Sequence, residues 1–349
     1  MPNQRAIAAE LGLTQACVSL ALRGDPSISE ATRRRVVETA ERLGYRPNAY
    51  VSTLMAHIRS GRPLRDKGCV ALLFNYPSLD NEYSVPNQTF RRQLSGAMKR
   101  AEALGFHTEN FFLTAPKMNA RRIHRILVTR GIRGVVLMAP GQGAVIDGLD
   151  WRDFASATIA YSWAKPETHR VATDHRHHVD VAYQELIRRG CKRIGFCLAP
   201  EAVEGVNGAW TDRFLLWQRR LAHKKPIPLF VGKPGVTPLA EFKRWFSAAK
   251  PDALITLIGH EHEWLEKMGL RAPDDLSLVC LNRPPGSRFS GMEENHEVIG
   301  AATVELVINQ ILHNEFGLPA HPRLILIKGG WVEGETARPS EGPASADPA

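Results

Sequence analysis

The most constraining feature of this sequence is a regular alternation of short apolar segments and amphipathic segments from residue 68 to about residue 328. "GCVALLFNY" has the length and composition of a buried strand, and "FRRQLSGAMKRAEALG" after it places apolar residues, Met98 among them, at helical spacing. Six further helix–strand pairs follow, and the last is "VIGAATVELVINQILHNE" with "RLILIKGG". Strands separated by helices of this length predict parallel sheets. About ten strands are too many for one comfortable sheet, so the pattern predicts an α/β core of two lobes.

The first 46 residues have a different pattern, that of three short helices. In "GLTQACVSLALRG", Gly12 can end one helix in the left-handed conformation, and Thr14 can cap the next helix with its hydroxyl. Leu13 and Val18 have the spacing of a hydrophobic staple across that cap. A third helix is predicted in "SISEATRRRVVETAERLGY", with Ser29 as its N-cap. The pattern therefore predicts a helix-turn-helix within a small all-α domain.

Positive charge is concentrated at the start of the chain. Residues 1–66 contain ten arginines, no lysine and six acidic residues, a net charge of +4, whereas the whole chain carries +9. This balance fits either an ordinary solvated basic surface or a surface that binds nucleic acid. No segment approaches the roughly 20 apolar residues that span a bilayer, and the first residues lack the apolar run of a signal peptide. With five scattered cysteines that fit free thiols, the composition predicts a cytoplasmic protein without a membrane partner.

The motifs of enzymes are missing from the sequence. There is no G-x-G-x-x-G after the first predicted strand, no phosphate-loop lysine motif and no nucleophile–base set, so we expect neither catalysis nor a cofactor. "HRHH" at residues 175–178 and "HEH" at residues 260–262 raise the alternative of a metal site, but their spacing is not that of a zinc-binding helix. The "HRHH" group begins a helix and is expected at solvent or at the cleft between the lobes. Trp163, Trp210 and Trp217 fit either stacking on a sugar ring or packing in the core.

Residues 6–58 closely resemble the DNA-binding and hinge region of the LacI/GalR family of transcription regulators. The motifs that carry the resemblance are "IAAELGLTQACVSLALRG", "ISEATRRRVVETAERLGYRPN" and "AYVSTLMA". The remainder is similar to the family's effector-binding core, which is built from two Rossmann-like lobes like a periplasmic sugar-binding protein. "VATDHRHHVDVAYQELIRRGCKRIGF" and "PDALITLI" carry that similarity. The resemblance implies a DNA-binding domain at 1–46, a hinge helix and linker at 47–66, an effector-binding and dimerisation core at 67–338, and a disordered tail at 339–349.

The resemblance implies DNA contacts from two parts of the chain. Gln15 and Ala16 open the recognition helix and are expected at base edges in the major groove, where glutamine can pair bidentately with adenine. The positions that mostly touch the phosphate backbone in the family are Thr14, Ser19 and Arg23. Asn48 is expected to cap the hinge helix. Leu54 stands where the family inserts a leucine into the minor groove, and its alternative is an ordinary packing residue.

The implied effector site lies between the two lobes. The residues expected to line it are Asn75, Tyr76, Asp174, Arg213 and Asn282. Arg213 aligns with an arginine that often grips the effector, whereas Asn282 stands where the family has a ligand-binding aspartate. Ile258 and Gly259 stand where the family has an Asn-Asp pair. Because acidic groups are lost, an anionic effector gains weight, so the expected effector is a sugar or a sugar acid.

Together these features predict a sequence-specific transcription regulator that acts as a repressor. It is expected to bind a pseudo-palindromic operator in double-stranded DNA as a homodimer and to respond to a small-molecule effector. The alternative is a solute-binding protein without DNA-dependent regulation. The helix-turn-helix pattern and the missing signal peptide argue against that alternative.

Overall fold

The structure is a computed structural model, and it divides the chain into two compact units, Met1–Gly68 and Cys69–Ala349. The residues that it describes are 4–22, 27–43, 45, 68–79, 88–138, 144–161, 163–198, 206–221, 225–232 and 239–340.

The first unit contains three helices around a small apolar core. They are α1 (Gln4–Leu11), α2 (Gln15–Leu22) and α3 (Glu30–Arg42). Gly12 between α1 and α2 has φ +65°, and the two helices are bent by 108°, as in a helix-turn-helix. The Thr14 hydroxyl accepts a hydrogen bond from the Cys17 amide at 3.2 Å, and the Ser29 hydroxyl accepts one from the Thr32 amide at 3.3 Å. Both predicted caps are therefore confirmed.

The core of this unit is formed by one face of each helix. Its buried members are Ile7, Ala8, Val18, Ala21, Val36 and Ala40. Leu13 packs against them, as the staple spacing predicts. In the described ranges, no single helix is long and apolar enough to cross a bilayer; α1 and α2 reach that length only when taken together across their bend.

The second unit alternates strands and helices. Its strands are β1 (Cys69–Phe74), β2 (His107–Phe112), β3 (Gly134–Leu137), β4 (Ala144–Val145), β5 (Ala155–Ile159), β6 (Trp163–Lys165), β7 (His169–Thr173), β8 (Ile194–Leu198), β9 (Phe230–Val231), β10 (Ala253–Thr256), β11 (Ser277–Cys280), β12 (Ser290–Glu293), β13 (Leu324–Ile327) and β14 (Gly330–Val332). Its α-helices are α4 (Gln88–Ala103), α5 (Ala120–Thr129), α6 (His175–Arg188), α7 (Ala209–Arg220), α8 (Leu239–Ala249), α9 (Glu261–Glu266) and α10 (His296–His313).

Two six-stranded sheets organise this unit into two lobes. The first has the order β13-β7-β5-β3-β1-β2, and the second has the order β14-β12-β11-β10-β8-β9. The prediction of an α/β core with two lobes is thus confirmed. The expectation of purely parallel sheets is wrong at one edge, because β14 pairs antiparallel with β12. The chain enters β14 directly from β13 of the other lobe, without the crossover helix that a parallel neighbour requires.

The chain passes between the lobes three times. The crossings follow Thr173 at the end of β7, Glu294 after β12, and Ile327 at the end of β13. Backbone and side-chain bonds connect these crossings: the Asp174 amide donates to the Ile327 carbonyl at 2.9 Å, and Asn295 Nδ2 donates to the Lys328 carbonyl at 3.0 Å. The three crossings therefore form one connected hinge region.

In the first lobe, α4 and α10 approach each other through glycines. A Cβ atom on Gly96 would lie 2.0 Å from the Glu297 carbonyl oxygen, and one on Gly300 would lie 1.9 Å from the Gln93 carbonyl oxygen. The helix backbones are therefore in direct contact. This contact rotates α4 so that Met98, which the sequence places with the apolar set, is 44% exposed.

Candidate DNA-binding surface and effector cleft

The outward face of α2 carries the predicted base-reading residues. Gln15 and Ala16 are exposed, whereas Val18 and Ala21 of the same helix are buried in the core. Residues two apart lie about 200° apart around an α-helix, so burial of Val18 directs Ala16 outward. Gln15 is exposed as the first residue of the helix. Ser19 is half-buried on the same helix. This surface can donate and accept hydrogen bonds at a base edge.

Arg5 on α1 contacts Gln15, and the sequence reasoning missed this contact. Arg5 Nε donates to Gln15 Oε1 at 3.3 Å. Among the described residues of this unit, three other arginines form ion pairs: Arg33 with Glu30, Arg34 with Glu38 and Arg42 with Glu10. The only signal for Arg5 in the sequence is a positive charge on a helix position next to the buried Ile7. That Arg5 contacts Gln15 can be predicted only when the packing of α1 against α2 is known.

Three of the predicted DNA contacts cannot be located. Arg23, Asn48 and Leu54 lie outside the described residues. Thr14 is described, and its hydroxyl already accepts from the Cys17 amide, so this residue shapes the start of α2. Its hydroxyl hydrogen stays available for a phosphate oxygen.

The predicted effector residues lie where strands and helices of the two lobes meet. Asn75 and Tyr76 follow β1, and both are half-buried. The Tyr76 ring meets the Phe90 ring edge-on, with 6.1 Å between centroids. Asp174 follows β7 and caps α6, because its carboxylate accepts from the His177 amide at 3.1 Å. These placements agree with the rule that parallel sheets bind ligands at the carboxyl ends of their strands.

Arg213 lies on α7 and holds a carboxylate of α6. Its Nε donates to Asp180 Oδ1 at 2.6 Å, and its Nη2 donates to Asp180 Oδ2. Trp217 Nε1 donates to the same Oδ1 at 2.7 Å. The hydrogen bonds to Asp180 raise the pKa of Arg213. Asp180 was not among the predicted site residues, since an acidic residue inside a helix carries no signal until α7 is placed beside it.

Asn282 joins the second lobe to the first. Its Nδ2 donates to Thr89 Oγ1 of α4 at 3.0 Å, and its Oδ1 lies 3.0 Å from His296 Nε2 of α10. Thr89 Oγ1 and His296 Nε2 are themselves 3.1 Å apart. The three side chains therefore form a closed ring of contacts across the gap between the lobes.

Glu294 occupies the hinge region as a buried carboxylate surrounded by histidines. It is 4% exposed. The Thr173 hydroxyl donates to its Oε2 at 3.3 Å, and His175 Nδ1 and His178 Nδ1 lie 3.7 Å and 3.5 Å from its Oε1. Burial opposes the charge of Glu294, but the hydrogen bond from His178 and the neighbouring histidines outweigh it and lower the pKa of this carboxyl.

The position of His175 and His178 differs from the expectation that the "HRHH" group faces solvent or the cleft. Both rings are buried, and His178 Nε2 accepts from the Gly329 amide at 2.9 Å. Burial lowers the pKa of His175 to about 4. They turn inward because the first turn of α6 packs on the hinge around Glu294. Among the described residues, no group of three or more His, Cys, Asp or Glu side chains has the geometry to hold a metal ion.

The three tryptophans pack within the second unit. Trp163 is fully buried, and its Nε1 donates to the Met138 carbonyl at 2.7 Å. Trp217 stacks on Tyr183 with 5.2 Å between ring centroids. Trp210 packs edge-on against His175, 4.8 Å between centroids, and its buried Nε1 has no hydrogen-bond partner among the described residues.

Comparison with known proteins gives two family matches. Residues 5–48 match the model of bacterial regulatory proteins of the lacI family, and residues 183–337 match the periplasmic binding protein-like domain. Catabolite control protein A from Priestia megaterium is 49% identical over 43 residues, which is 12% of this chain and 13% of that protein. The chain therefore spans only a small part of that relative at this level of identity.

Two solved structures are similar to the fold of nearly the whole chain. A transcriptional regulator CelR–cellobiose complex matches with a TM-score of 0.54 and 17% identity, covering 97% of this chain and all of that chain. A lac repressor dimer bound to operator and the anti-inducer ONPF matches with a TM-score of 0.53 and 14% identity, covering 96% of this chain and 98% of that chain. The chain therefore contains a lacI-family helix-turn-helix domain at residues 5–48 and a periplasmic-binding-protein-like domain at residues 183–337.

Proposed function

We propose that this protein is a repressor that binds a pseudo-palindromic DNA operator as a homodimer and is controlled by a sugar or sugar acid. The observation that carries the proposal is the exposed pair Gln15 and Ala16 at the start of α2, in a lacI-type helix-turn-helix whose second helix packs into the core through Val18 and Ala21. A short helix with this exposed face fits the major groove of B-DNA. Because its target is DNA, we place the protein in the cytoplasm without a membrane partner.

Support for a homodimer comes from the short length of a single recognition helix. One short recognition helix reads only a few base pairs, and a two-fold dimer doubles this number in a symmetric operator. The lac repressor in the similar structure is a dimer bound to operator. The same similarity to the lac repressor supports repression as the direction of regulation.

The chemistry of Arg213 favours an uncharged sugar over a sugar acid. Its Nε and Nη2 already donate to the Asp180 carboxylate, so its positive charge is largely neutralised. The remaining N–H groups can donate to hydroxyl oxygens, whereas a ligand carboxylate would be repelled by Asp180 at close range. The similar CelR structure contains cellobiose, an uncharged sugar. We therefore propose a neutral sugar as effector and keep sugar acids as the alternative.

The competing function is solute binding without DNA-dependent regulation. It uses the second unit alone and leaves the first unit, with its capped helices and exposed Gln15, without a role. A DNA-binding assay separates the two functions directly.

In vitro selection from random double-stranded DNA with the full chain tests the proposal. We expect enrichment of one motif with two-fold symmetry, and affinity for it that falls steeply with salt as phosphate contacts release counterions. Gel-shift titration of the selected site would then measure the stoichiometry, expected to be two chains per site. Selection that yields no symmetric motif would contradict the proposal and favour the solute-binding function.

A further inference from the structure

Side chains join the two lobes at the proposed effector cleft. We infer that Asn282, Thr89 and His296 form a clasp that holds the two lobes together beside this cleft. This inference rests on the proposed function only in assigning the cleft to an effector. The clasp itself is built from three contacts of 3.0 to 3.1 Å between the lobes and within the first lobe.

Hydrogen-bond chemistry determines which atoms donate in the clasp. The Asn282 amide has one N–H side and one C=O side, and its Nδ2 donates to Thr89 Oγ1. Its Oδ1 then needs a donor, which only the Nε2–H tautomer of His296 can supply at 3.0 Å. Burial lowers the pKa of His296, which favours the neutral ring. In this arrangement the proton of the neutral ring is on Nε2, where it can be donated to Asn282 Oδ1. In this orientation the amide donates to Thr89 and accepts from His296, so both of its polar ends have a partner.

The first-lobe half of the clasp is held rigidly. Gly96 and Gly300 bring α4 and α10 into backbone contact, which fixes Thr89 beside His296. Arg92 of α4 adds two hydrogen bonds of 2.7 Å to the Glu297 carboxylate of α10. Two helices locked in this way present the Thr89 hydroxyl and the His296 ring as a preformed receptor for one amide.

The second-lobe half is also fixed in place. The backbone N–H of Asn282 donates to the Leu257 carbonyl at 2.9 Å. The backbone N–H of Arg283, the next residue, donates to the Met292 carbonyl at 2.9 Å. The side chain of Asn282 therefore leaves a backbone that is bonded on both sides. The clasp loses little conformational entropy when it closes, because neither half has to become ordered.

Glu294 connects the clasp to the hinge. Its Oε2 lies 3.6 Å from His296 Nε2, and the same oxygen accepts from the Thr173 hydroxyl at the first crossing. The negative charge favours an imidazole N–H on the side of His296 that faces Asn282. Glu294 is therefore a positioning residue: it acts on the clasp through His296, and it sits on a crossing that must move if the lobes open.

The test is the distance between the lobes, measured by double electron–electron resonance on the full chain without DNA or effector. Spin labels go on the exposed Arg125→Cys of α5 and Arg244→Cys of α8 in a Cys17→Ser background, diluted with unlabelled protein so that only distances within one chain are read. For the parent we expect one dominant short distance. Asn282→Ala should raise the ratio of long to short distances roughly tenfold, the effect of losing one or two hydrogen bonds.

Paired variants distinguish the clasp from a general loss of folding. Thr89→Val keeps the shape but removes the hydroxyl and should open the lobes like Asn282→Ala, whereas Thr89→Ser keeps the hydroxyl and should stay closed. Asn309→Ala, an exposed asparagine on α10, should leave the distances unchanged. A parent distribution as broad as that of Asn282→Ala, or a closed Thr89→Val, would overturn the clasp. Neither result bears on DNA binding, which the selection experiment tests separately.

Discussion

At the scale of single residues, we propose that Gln15 reads a base pair and that Arg5 positions it. Gln15→Ala should relax the preference at one base pair in each half-site, at a cost of about 1–3 kcal/mol for the preferred base. Arg5→Ala should lower the same preference by a smaller amount, because it frees a side chain that Arg5 Nε holds at 3.3 Å. Gel-shift titrations on operators changed at single base pairs measure both effects.

The double variant shows whether Arg5 acts through Gln15. If it does, adding Arg5→Ala to Gln15→Ala should change the discrimination at that base pair by less than about 0.5 kcal/mol. Arg35→Ala on α3 is the matched control, because loss of this exposed positive charge should at most weaken binding to all operators equally. Independent losses that simply add would show that Arg5 contacts DNA on its own.

His175 should make the stability of the second unit depend on pH. Its pKa is about 4 in the folded protein and 6.5 in the unfolded chain, so the unfolded chain binds the extra proton between these values. Stability is fully present above about pH 6.5 and is lost as the pH falls toward 4, by roughly 3 kcal/mol for this residue. The charged and titratable groups that face the His175 ring are, in decreasing order of their effect on its pKa, Glu294, His178, Asp174 and His296.

Melting temperatures across pH 4–8 measure this dependence. His175→Gln should flatten the loss between pH 6.5 and 4, whereas His321→Gln, an exposed histidine, should leave the curve unchanged. An unchanged slope in His175→Gln would mean that Glu294 and the other histidines carry the acid sensitivity.

The residues of the candidate sites differ in how far sequence can predict them. The exposed positions of Gln15 and Ala16 were predictable because the family resemblance places them at the start of α2, and the Thr14 cap confirms where that helix begins. Asp180 and Thr89 were not, because each acquires its partner only when distant segments pack: Thr89 bonds to Asn282, 193 residues away. A local pattern contains no information about such a contact.

At the scale of elements, the crossing of α4 and α10 depends on Gly300. Inside a helix, replacing glycine by alanine normally stabilises by up to about 1 kcal/mol. Here the new Cβ would lie 1.9 Å from the Gln93 carbonyl oxygen, so the helices must separate, and we expect a net loss of about 1–3 kcal/mol in the free energy of unfolding. Urea denaturation monitored by tryptophan fluorescence measures it.

Gly330→Ala serves as the control for this prediction. A Cβ at Gly330 meets no atom within 4 Å, so its substitution should change stability by less than about 0.5 kcal/mol. Equal stability of Gly300→Ala and the parent would show that the two helices have room to move apart.

Strand prediction succeeded for apolar segments and failed for polar ones. β1 is buried along its whole length, and its sequence is apolar throughout. β2, "HTENFF", lies at the edge of its sheet, where one side needs no apolar cover, and its polar residues hide it from a search for apolar runs. The antiparallel β14 also escaped prediction, since its direction depends on which lobe the chain comes from.

At the scale of the whole molecule, we expect effector binding and its effect on operator affinity to depend on Arg213. In a thermal-shift screen of sugars, uronates and sugar phosphates, we expect a neutral sugar to raise the melting temperature and to change operator affinity in gel shifts. Arg213→Ala combined with Asp180→Asn, which avoids leaving a half-buried carboxylate without its arginine, should lose most of both responses. Charge-assisted hydrogen bonds of this kind are worth about 1.5–3 kcal/mol.

Arg219→Ala is the matched control, since Arg219 is an exposed arginine on the same helix. It should respond to the effector like the parent. A ligand that stabilises the Arg213→Ala, Asp180→Asn variant as strongly as the parent would remove Arg213 from the effector site.

The interleaving of the two lobes along the chain has a consequence for protein synthesis. The first lobe begins with Cys69, but its edge strand β13 ends only at Ile327. At 5–20 residues per second, a ribosome needs roughly 10–50 s to supply the missing pieces. All core contacts of the helix-turn-helix, by contrast, come from residues before 46. A nascent chain therefore completes its DNA-reading module long before either lobe of the effector module can close around its own hydrophobic core.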